Sequence, residues 1–238
     1  MTRAAFVWTV NEQQQVVSIP DTGGSVGRSP DADVRIDEAT VSRQQASIRA
    51  QGHDWVIENV SSTNPTRLNG APVEQASPLS DGDRIEIGTA SLVFHDLTAA
   101  DRLSDPVCSH CSRENLAGDS DCWFCGTSLI NAPTTILRRL PAVVRFIGQD
   151  GETHDLLPDE SLTTRPDGTI VVARAEAEIA EDAPQVRASG DAARVVSTGE
   201  AMIKVNGTPS ILEVPLATGD VLELAGTTYL VITRAGSG

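Results

Sequence analysis

The stretch PTRLNGAPVEQASPLSDGDRIEIGTASLVF (residues 65–94) returns later in the chain as MIKVNGTPSILEVPLATGDVLELAGTTYLVI (residues 202–232). Asn206-Gly207 falls on Asn69-Gly70, Pro215-Leu216 on Pro78-Leu79, and Gly219-Asp220 on Gly82-Asp83. A repeat of this kind means that one supersecondary arrangement is built twice. Asn-Gly between β-forming residues is a hairpin signal, because a type I′ turn needs positive φ at both central positions. The flanking sequence agrees with that reading. Residues 4–10 and 14–19 are β-rich and flank Asn11-Glu12, while Pro20-Asp21-Thr22-Gly23-Gly24 reads as a turn. Strand-length runs follow near Val34–Ile36, Ala46–Ala50, Trp55–Glu58, Arg67–Leu68, Arg84–Ile87 and Ser91–His95. They resume after Pro141 at Ala142–Phe146, Glu152–Leu157, Thr169–Ala173, Arg194–Ser197, Met202–Val205, Val221–Leu224 and Thr227–Thr233. No window before His95 carries a helical period. The expected fold is all-β, with one sandwich in each half of the chain.

Between Ser25 and Gly70 three polar turns interrupt these runs: SVGRSPDADVRI, TVSRQQASI and ENVSSTNPTRLNG. Each carries groups suited to an anion: Arg28 in the first, Ser42 and Arg43 in the second, Thr63 and Asn64 in the third. A phosphate monoester offers three strong acceptor oxygens and nearly two negative charges. A guanidinium, hydroxyls and an amide from separate loops can surround it with charge-assisted hydrogen bonds. Ser, Thr and Asn are also common turn residues that bond their own backbone.

The blocks Gly27-Arg28-Ser29, Ser42-Arg43-Gln44-Gln45-Ala46 and Asn59 to Gly70, with the trailing Asp81 to Gly88, resemble the motifs of a forkhead-associated (FHA) domain over roughly residues 3–97. The resemblance implies a β-sandwich whose loops at one end bind phosphothreonine peptides. Carried over by position, Arg28 and Ser42 would hold phosphate oxygens, Thr63 would add a hydroxyl, Asn64 would fix the peptide backbone and Arg43 would contribute charge. Gln45 replaces the family's usual His, a loop-bracing residue, and Pro65 replaces the Gly after the Asn. The repeat makes residues 141–238 a second FHA-like sandwich, but a degenerate one. Ala173-Arg174 is its nearest match to Gly27-Arg28, nothing like SRQQA follows, and Ser197-Thr198-Gly199-Glu200-Ala201 fills the space before the second Asn-Gly.

Between the two halves lies CSHCSRENLAGDSDCWFCG, residues 108–126. Cys108 and Cys111 form one CxxC pair, Cys122 and Cys125 another, and these are all the cysteines of the chain. Four thiolates in two knuckles suit tetrahedral Zn²⁺ with no open coordination position, hence a structural rather than a catalytic metal. A disulfide, a redox CxxC and an iron–sulfur centre have less support. The segment resembles a short zinc ribbon. The resulting organisation is an FHA domain at 1–97, a ribbon at 98–130, a linker at 131–140 and the second sandwich at 141–238. His110, inside the first knuckle, is expected to be exposed.

The net charge of −15, from 33 acidic and 18 basic residues, opposes non-specific adhesion to nucleic acid or membrane. No apolar run reaches the roughly 20 residues that span a bilayer, and the start has no signal-peptide order, so a cytoplasmic protein is expected. The four histidines are scattered, and no nucleophile elbow, P-loop or dinucleotide fingerprint is present; an enzyme is not expected. The resemblance implies a phosphothreonine-dependent adaptor working beside Ser/Thr kinases or phosphatases. The alternative is a phosphate-independent docking component of a larger assembly. Nucleic-acid binding by the ribbon is a third reading, opposed by its acidity. The second sandwich is expected to pack on a neighbour, by self-association or on a larger partner. Thr134 and Thr135 in the linker are candidate phosphorylation sites that could fold back on Arg28, Ser42 and Asn64.

Overall fold

The computed structural model describes residues 3–10, 13–52, 54–99, 101–103, 106–113, 115, 119–132, 136–139, 141–165, 168–174, 183–196, 203–210 and 213–234. Among them there is no α-helix, and no helix long and apolar enough to cross a membrane. The first half contains β1 (Ala4–Val10), β2 (Gln13–Ile19), β3 (Gly23–Gly27), β4 (Val34–Arg35), β5 (Ala46–Gln51) and β6 (Asp54–Asn59). It continues with β7 (Thr66–Leu68), β8 (Ala71–Pro72), β9 (Ser77–Leu79), β10 (Arg84–Ile87) and β11 (Ala90–Asp96). These strands form a six-stranded sheet in the order β2-β1-β11-β10-β7-β8 and a five-stranded sheet in the order β4-β3-β5-β6-β9.

A 3₁₀ turn at Leu97–Ala99 leads to β12 (Asp101–Leu103), which pairs with β13 (Ile136–Arg139) on either side of the cysteine segment. The second half then runs through β14 (Val144–Gly148), β15 (Thr153–Leu156), β16 (Glu160–Thr164), β17 (Ile170–Arg174), β18 (Gln185–Ser189) and β19 (Ala192–Val196). It ends with β20 (Ile203–Val205), β21 (Thr208–Ser210), β22 (Val214–Pro215), β23 (Val221–Leu224) and β24 (Thr227–Thr233). Its sheets have the orders β15-β14-β24-β23-β20-β21 and β17-β16-β18-β19-β22. Strand for strand, this is the order of the first half.

The repeated turns are built from the same bonds. Asn69 and Asn206 both sit at positive φ, 50° and 53°, each followed by a positive-φ glycine. The Asn69 amide donates to Asp83 Oδ1 at 2.8 Å and its oxygen accepts from Arg84 N; Asn206 does the same with Asp220 and Val221 N. Asp83 and Asp220 each accept a further backbone N–H, from Ser80 and Ala217, at 2.7 Å. A short polar chain satisfies these loop donors and tolerates the left-handed backbone, so the same residues serve both turns.

One connection differs. β3 and β4 run parallel, so residues 28–33 loop out and return, whereas β16 and β17 form an antiparallel hairpin. This corrects the sequence match of Ala173-Arg174 to Gly27-Arg28: Arg174 ends β17 and is in register with Glu160. The residue that follows β16, as Arg28 follows β3, is Arg165. The turn read at Pro20 to Gly24 is present, with the Gly23 N–H bonding Pro20 O at 2.8 Å, and Gly23-Gly24 also open β3. β16 and β18 also escaped the sequence reading, because they bury Ser161, Thr163 and Gln185 among their apolar residues.

Each half has its own core. In the first, Trp55, Phe6 and Phe94 are fully buried and stack edge-to-face at 5.8 and 6.0 Å. Each such side chain contributes about 1.5–3 kcal/mol by burial. The second core is built on Phe146, Leu162, Val186, Val195, Leu222 and Val231. A third cluster joins the halves. Ala4, Phe6 and Trp8 of β1 face the first core, while Ala5 and Val7 on the opposite face meet Ile147, Leu230 and Ile232 of β14 and β24, together with Leu97. The neighbour on which this face of the second half packs is therefore the first half of the same chain.

Arg145 lies in that contact and is 2 % exposed. Its guanidinium grips Asp155 with two bonds, 2.7 and 2.8 Å, and donates to Asp81 of the first half at 2.6 Å. Nη1 also meets His95 Nδ1 at 3.3 Å.

Candidate functional site

The three polar turns read from the sequence converge at one end of the first half. Gly27, closing β3, lies under the second turn: a Cβ there would stand 2.3 Å from the Arg43 carbonyl oxygen. Glycine at this position is required by that close approach, since any larger residue would push the two loops apart. Arg28 comes next and is exposed. Its backbone N–H bonds Ser42 O at 2.9 Å, and its Nε donates to Val41 O at 3.2 Å, leaving the outer guanidinium nitrogens pointing onward from a fixed stem. The loop behind it is pinned by Asp33, whose carboxylate accepts from both Ser25 N and Ser25 Oγ at 2.8 Å. Those bonds hold the Asp33 carboxyl below its ordinary range.

Gln45 is the brace between the loops. It is fully buried on β5's approach; its Oε1 accepts from Ser42 N at 3.1 Å, and its Nε2 donates to Asn64 O at 2.8 Å and to Thr66 Oγ1 at 3.2 Å. Its backbone N–H bonds Val26 O, and its carbonyl accepts from Val60 and Ser61. The amide therefore supplies a loop-bracing role without an imidazole. Asn59 adds to it, donating to Ser61 O at 2.9 Å and accepting from the Thr66 hydroxyl at 2.9 Å.

In front of this frame lies a cleft of about 600 Å³ lined by Arg28, Ser29, Ser42, Arg43, Gln44, Val60, Ser61, Ser62 and Thr63. Of the sequence-predicted residues, Arg28, Ser42, Arg43 and Thr63 line it together. Asn64 stands beside it, with its Nδ2 donating to Thr40 O at 2.9 Å and approaching Ser42 Oγ at 3.5 Å. Thr134 and Thr135 lie outside the described residues, as does Ser197 to Ala201.

Sequence reasoning passed over Ser61. Its hydroxyl is 2.8 Å from Ser42 Oγ and accepts the backbone N–H groups of Thr63 and Asn64. Its position in the SSTN turn was the signal for it. Two guanidinium groups and two hydroxyls in contact make the cleft an acceptor-binding surface of positive sign on an acidic chain.

The second candidate site is the four-cysteine cluster. The Sγ atoms of Cys108, Cys111, Cys122 and Cys125 all lie within 4.8 Å of one another. The Cys108–Cys125, Cys111–Cys122 and Cys125–Cys111 separations are 3.7, 3.6 and 3.7 Å. A tetrahedron with metal–sulfur bonds of about 2.3 Å has edges of about 3.8 Å, whereas a disulfide needs about 2.05 Å. All four cysteines are free thiols, and the donor set fits a tetrahedral metal ion. The Thr127 hydroxyl and backbone N–H push the Cys125 thiol down to about 6, whereas at Cys111 the backbone N–H of Arg113 is outweighed by burial and the neighbouring thiols, which push that thiol up. His110 is exposed. Trp123 and Phe124 are 59 % and 57 % exposed, with the Arg113 guanidinium 3.8 Å over the Phe124 ring, so these aromatics do not cap the knuckle from inside.

Residues 24–88 match the family model for the FHA domain, and the chain carries an FHA domain there. Among curated proteins, it is 43 % identical over 70 residues to the glycogen accumulation regulator GarA of Mycolicibacterium smegmatis, covering 29 % of this chain and 44 % of that protein. It is equally 43 % identical over 70 residues to the oxoglutarate dehydrogenase inhibitor of Corynebacterium jeikeium, covering 29 % of this chain and 48 % of the relative. The chain thus spans less than half the length of these relatives. A solved structure of Mycobacterium tuberculosis EmbR in complex with a low-affinity phosphopeptide is 26 % identical over 39 % of this chain and 24 % of that one, with a TM-score of 0.36.

Proposed function

We propose that this protein is a phosphothreonine-dependent adaptor of bacterial-type Ser/Thr kinase signalling, binding a phosphorylated protein in the cleft between Arg28, Ser42, Arg43 and the Ser61–Asn64 turn. The observation that carries the reading is the convergence of these groups on a frame held by Gln45, inside the segment that matches the FHA model. In it, Arg28 and Ser42 hold phosphate oxygens, Arg43 and Thr63 complete the charge and hydroxyl shell, and Asn64 fixes the peptide backbone beside the cleft. The FHA domain extends over residues 1–97, and the partner is a phosphothreonine-containing protein of the cytoplasm, with Ser/Thr kinases and phosphatases as the candidate classes. The chain acts by binding rather than by catalysis.

The test is a titration of the full chain with a phosphothreonine peptide and its unphosphorylated twin. Arg28→Ala and Ser42→Ala each remove a charge-assisted or hydroxyl bond worth about 1.5–3 kcal/mol, so each should weaken the phosphopeptide about ten- to hundredfold. Equal binding of the two peptides would replace this reading with a phosphate-independent docking role.

The cysteine cluster reads as a zinc ribbon at residues 98–130, joined by a linker at 131–140 to a degenerate FHA-like sandwich at 141–238. Its Sγ separations support Zn²⁺ held by Cys108, Cys111, Cys122 and Cys125 in a structural role. One zinc per chain should be found in protein purified under reducing conditions. Chelation should unfold residues 108–126 and leave both sandwiches folded, because among the described residues the module's apolar core is Cys108, Cys122 and Leu129, with Cys111 and Ala132 at its edge. Far-UV circular dichroism with metal analysis checks this; a metal-free protein of unchanged spectrum would overturn it.

A further inference from the structure

Arg165 occupies the place after β16 that Arg28 occupies after β3. It is held there by its hairpin: its N–H bonds Thr169 O at 2.8 Å, and its carbonyl accepts from Gly168. Its guanidinium, about a third exposed, meets a carboxylate. Nη2 donates to Oδ1 of Asp119, in the cysteine module, and the Asp119 side chain is only 5 % exposed against 34 % for Arg165.

The described residues near that carboxylate are tied to the rest of the module. Asn115, 5 % exposed, donates to Pro106 O and Arg113 O, and accepts from Trp123 N, tying the two knuckles together. On the other side of Asp119, Leu129 N bonds Ser120 O, and Asp121 pairs with Ser128 in a β-bridge. A carboxylate that loses most of its water is costly unless a cation compensates it. Arg165 supplies a cation to that carboxylate.

We propose that the second sandwich uses its Arg165 corner to grip an internal acidic ligand, Asp119, so that the cysteine module is clamped onto this sandwich instead of hanging between the two halves. The second half keeps the strand order of the first and keeps an arginine where the first has Arg28, but its anion is supplied within the chain. This clamp extends the reading of the second half as a degenerate copy. The contact itself stands on the two residues and does not depend on which metal the module holds.

Hydrogen exchange by mass spectrometry on the full chain tests it, comparing wild type with Arg165→Gln, Asp119→Asn, the double variant and Arg165→Lys. Both single variants should speed exchange in residues 106–132 and in the β16–β17 hairpin about tenfold, the scale of losing one partly buried charge pair, with β1 and β14 unchanged. The double variant should be no faster than either single one, since the two substitutions remove the same interaction. Arg165→Lys, which keeps the cation, should stay within about twofold of wild type. Unchanged exchange in the single variants, additive effects in the double, or a lysine variant as fast as the glutamine one would each overturn the proposal. Metal content of the same samples, expected to equal wild type, distinguishes loss of the clamp from loss of the module.

Discussion

Arg145→Ala should destabilise the whole chain by about 3 kcal/mol, toward the lower end of what breaking a buried ion pair costs. The guanidinium is 3 % exposed at its side chain and is shared by Asp155, Asp81 and His95. Burial alone would make its charge unfavourable, but the hydrogen bonds and charge of Asp155 and then Asp81 more than offset this and hold it protonated. Removing it leaves two carboxylates facing the junction of the sandwiches. Asp155 and Asp81 keep 22 % and 33 % side-chain exposure, so water can reach both in part, which is why the expected loss is not larger. Urea unfolding of wild type and variant, followed by near-UV and far-UV signals, measures it. A loss below about 1 kcal/mol would mean that the two halves do not depend on this network, because exposed pairs contribute only that much.

The second large effect is a loss of stability in mild acid, carried by His95. The imidazole is 6 % exposed; burial first, and the neighbouring Arg145 charge second, push it down to about 4, with Asp81 and Asp155 offsetting part of the shift. An unfolded histidine titrates near 6.5. Between these values the unfolded chain binds the proton and the folded one does not. Stability is therefore complete above about pH 6.5 and falls as the pH drops toward about 4, below which the folded state also takes the proton. At pH 5 the loss should be about 2 kcal/mol, growing to about 3 kcal/mol by pH 4, at 1.36 kcal/mol per pH unit of offset. His95→Gln, which can still accept from Arg145, should flatten the profile over this window. Urea midpoints from pH 7.5 to 5 in both proteins check it; identical slopes would remove His95 as the cause.

Much of this molecule could be read from its sequence, for reasons that are local. Asn69-Gly70 and Asn206-Gly207 announce their turns because the backbone there needs positive φ, and two CxxC pairs announce a four-thiolate cluster because each knuckle is built within a few residues. The cleft was legible to the extent that Arg28, Ser42, Arg43 and Thr63 sit in motif blocks. Ser61 was not, since a serine in a turn usually serves its own backbone, and Ser61 does that as well.

What the sequence hid is non-local. Arg145 and Asp81 are 64 residues apart, and nothing in either neighbourhood names the other. The run AAFVW in β1 did carry a hint: its five residues are all buried, without the polar alternation of a one-sided strand. That continuous burial marks a strand covered on both faces, here by its own core and by the second half. Arg165 was hidden behind Arg174 because a sequence alignment cannot see that β17 reverses direction where β4 does not.

That reversal bears on what the second half can become. In the first half, the parallel return of β4 makes residues 28–33 bulge from the end of the sandwich, and Arg28 rides on that bulge. In the second, the chain turns straight back into β17. No set of point substitutions converts one threading into the other, because the strand would have to be peeled from its partner and laid down in the opposite sense. A hydroxyl or a guanidinium can be placed by a single codon, but a loop path cannot. The corner of the second half is thereby left to short-range contacts, such as the one Arg165 makes with Asp119.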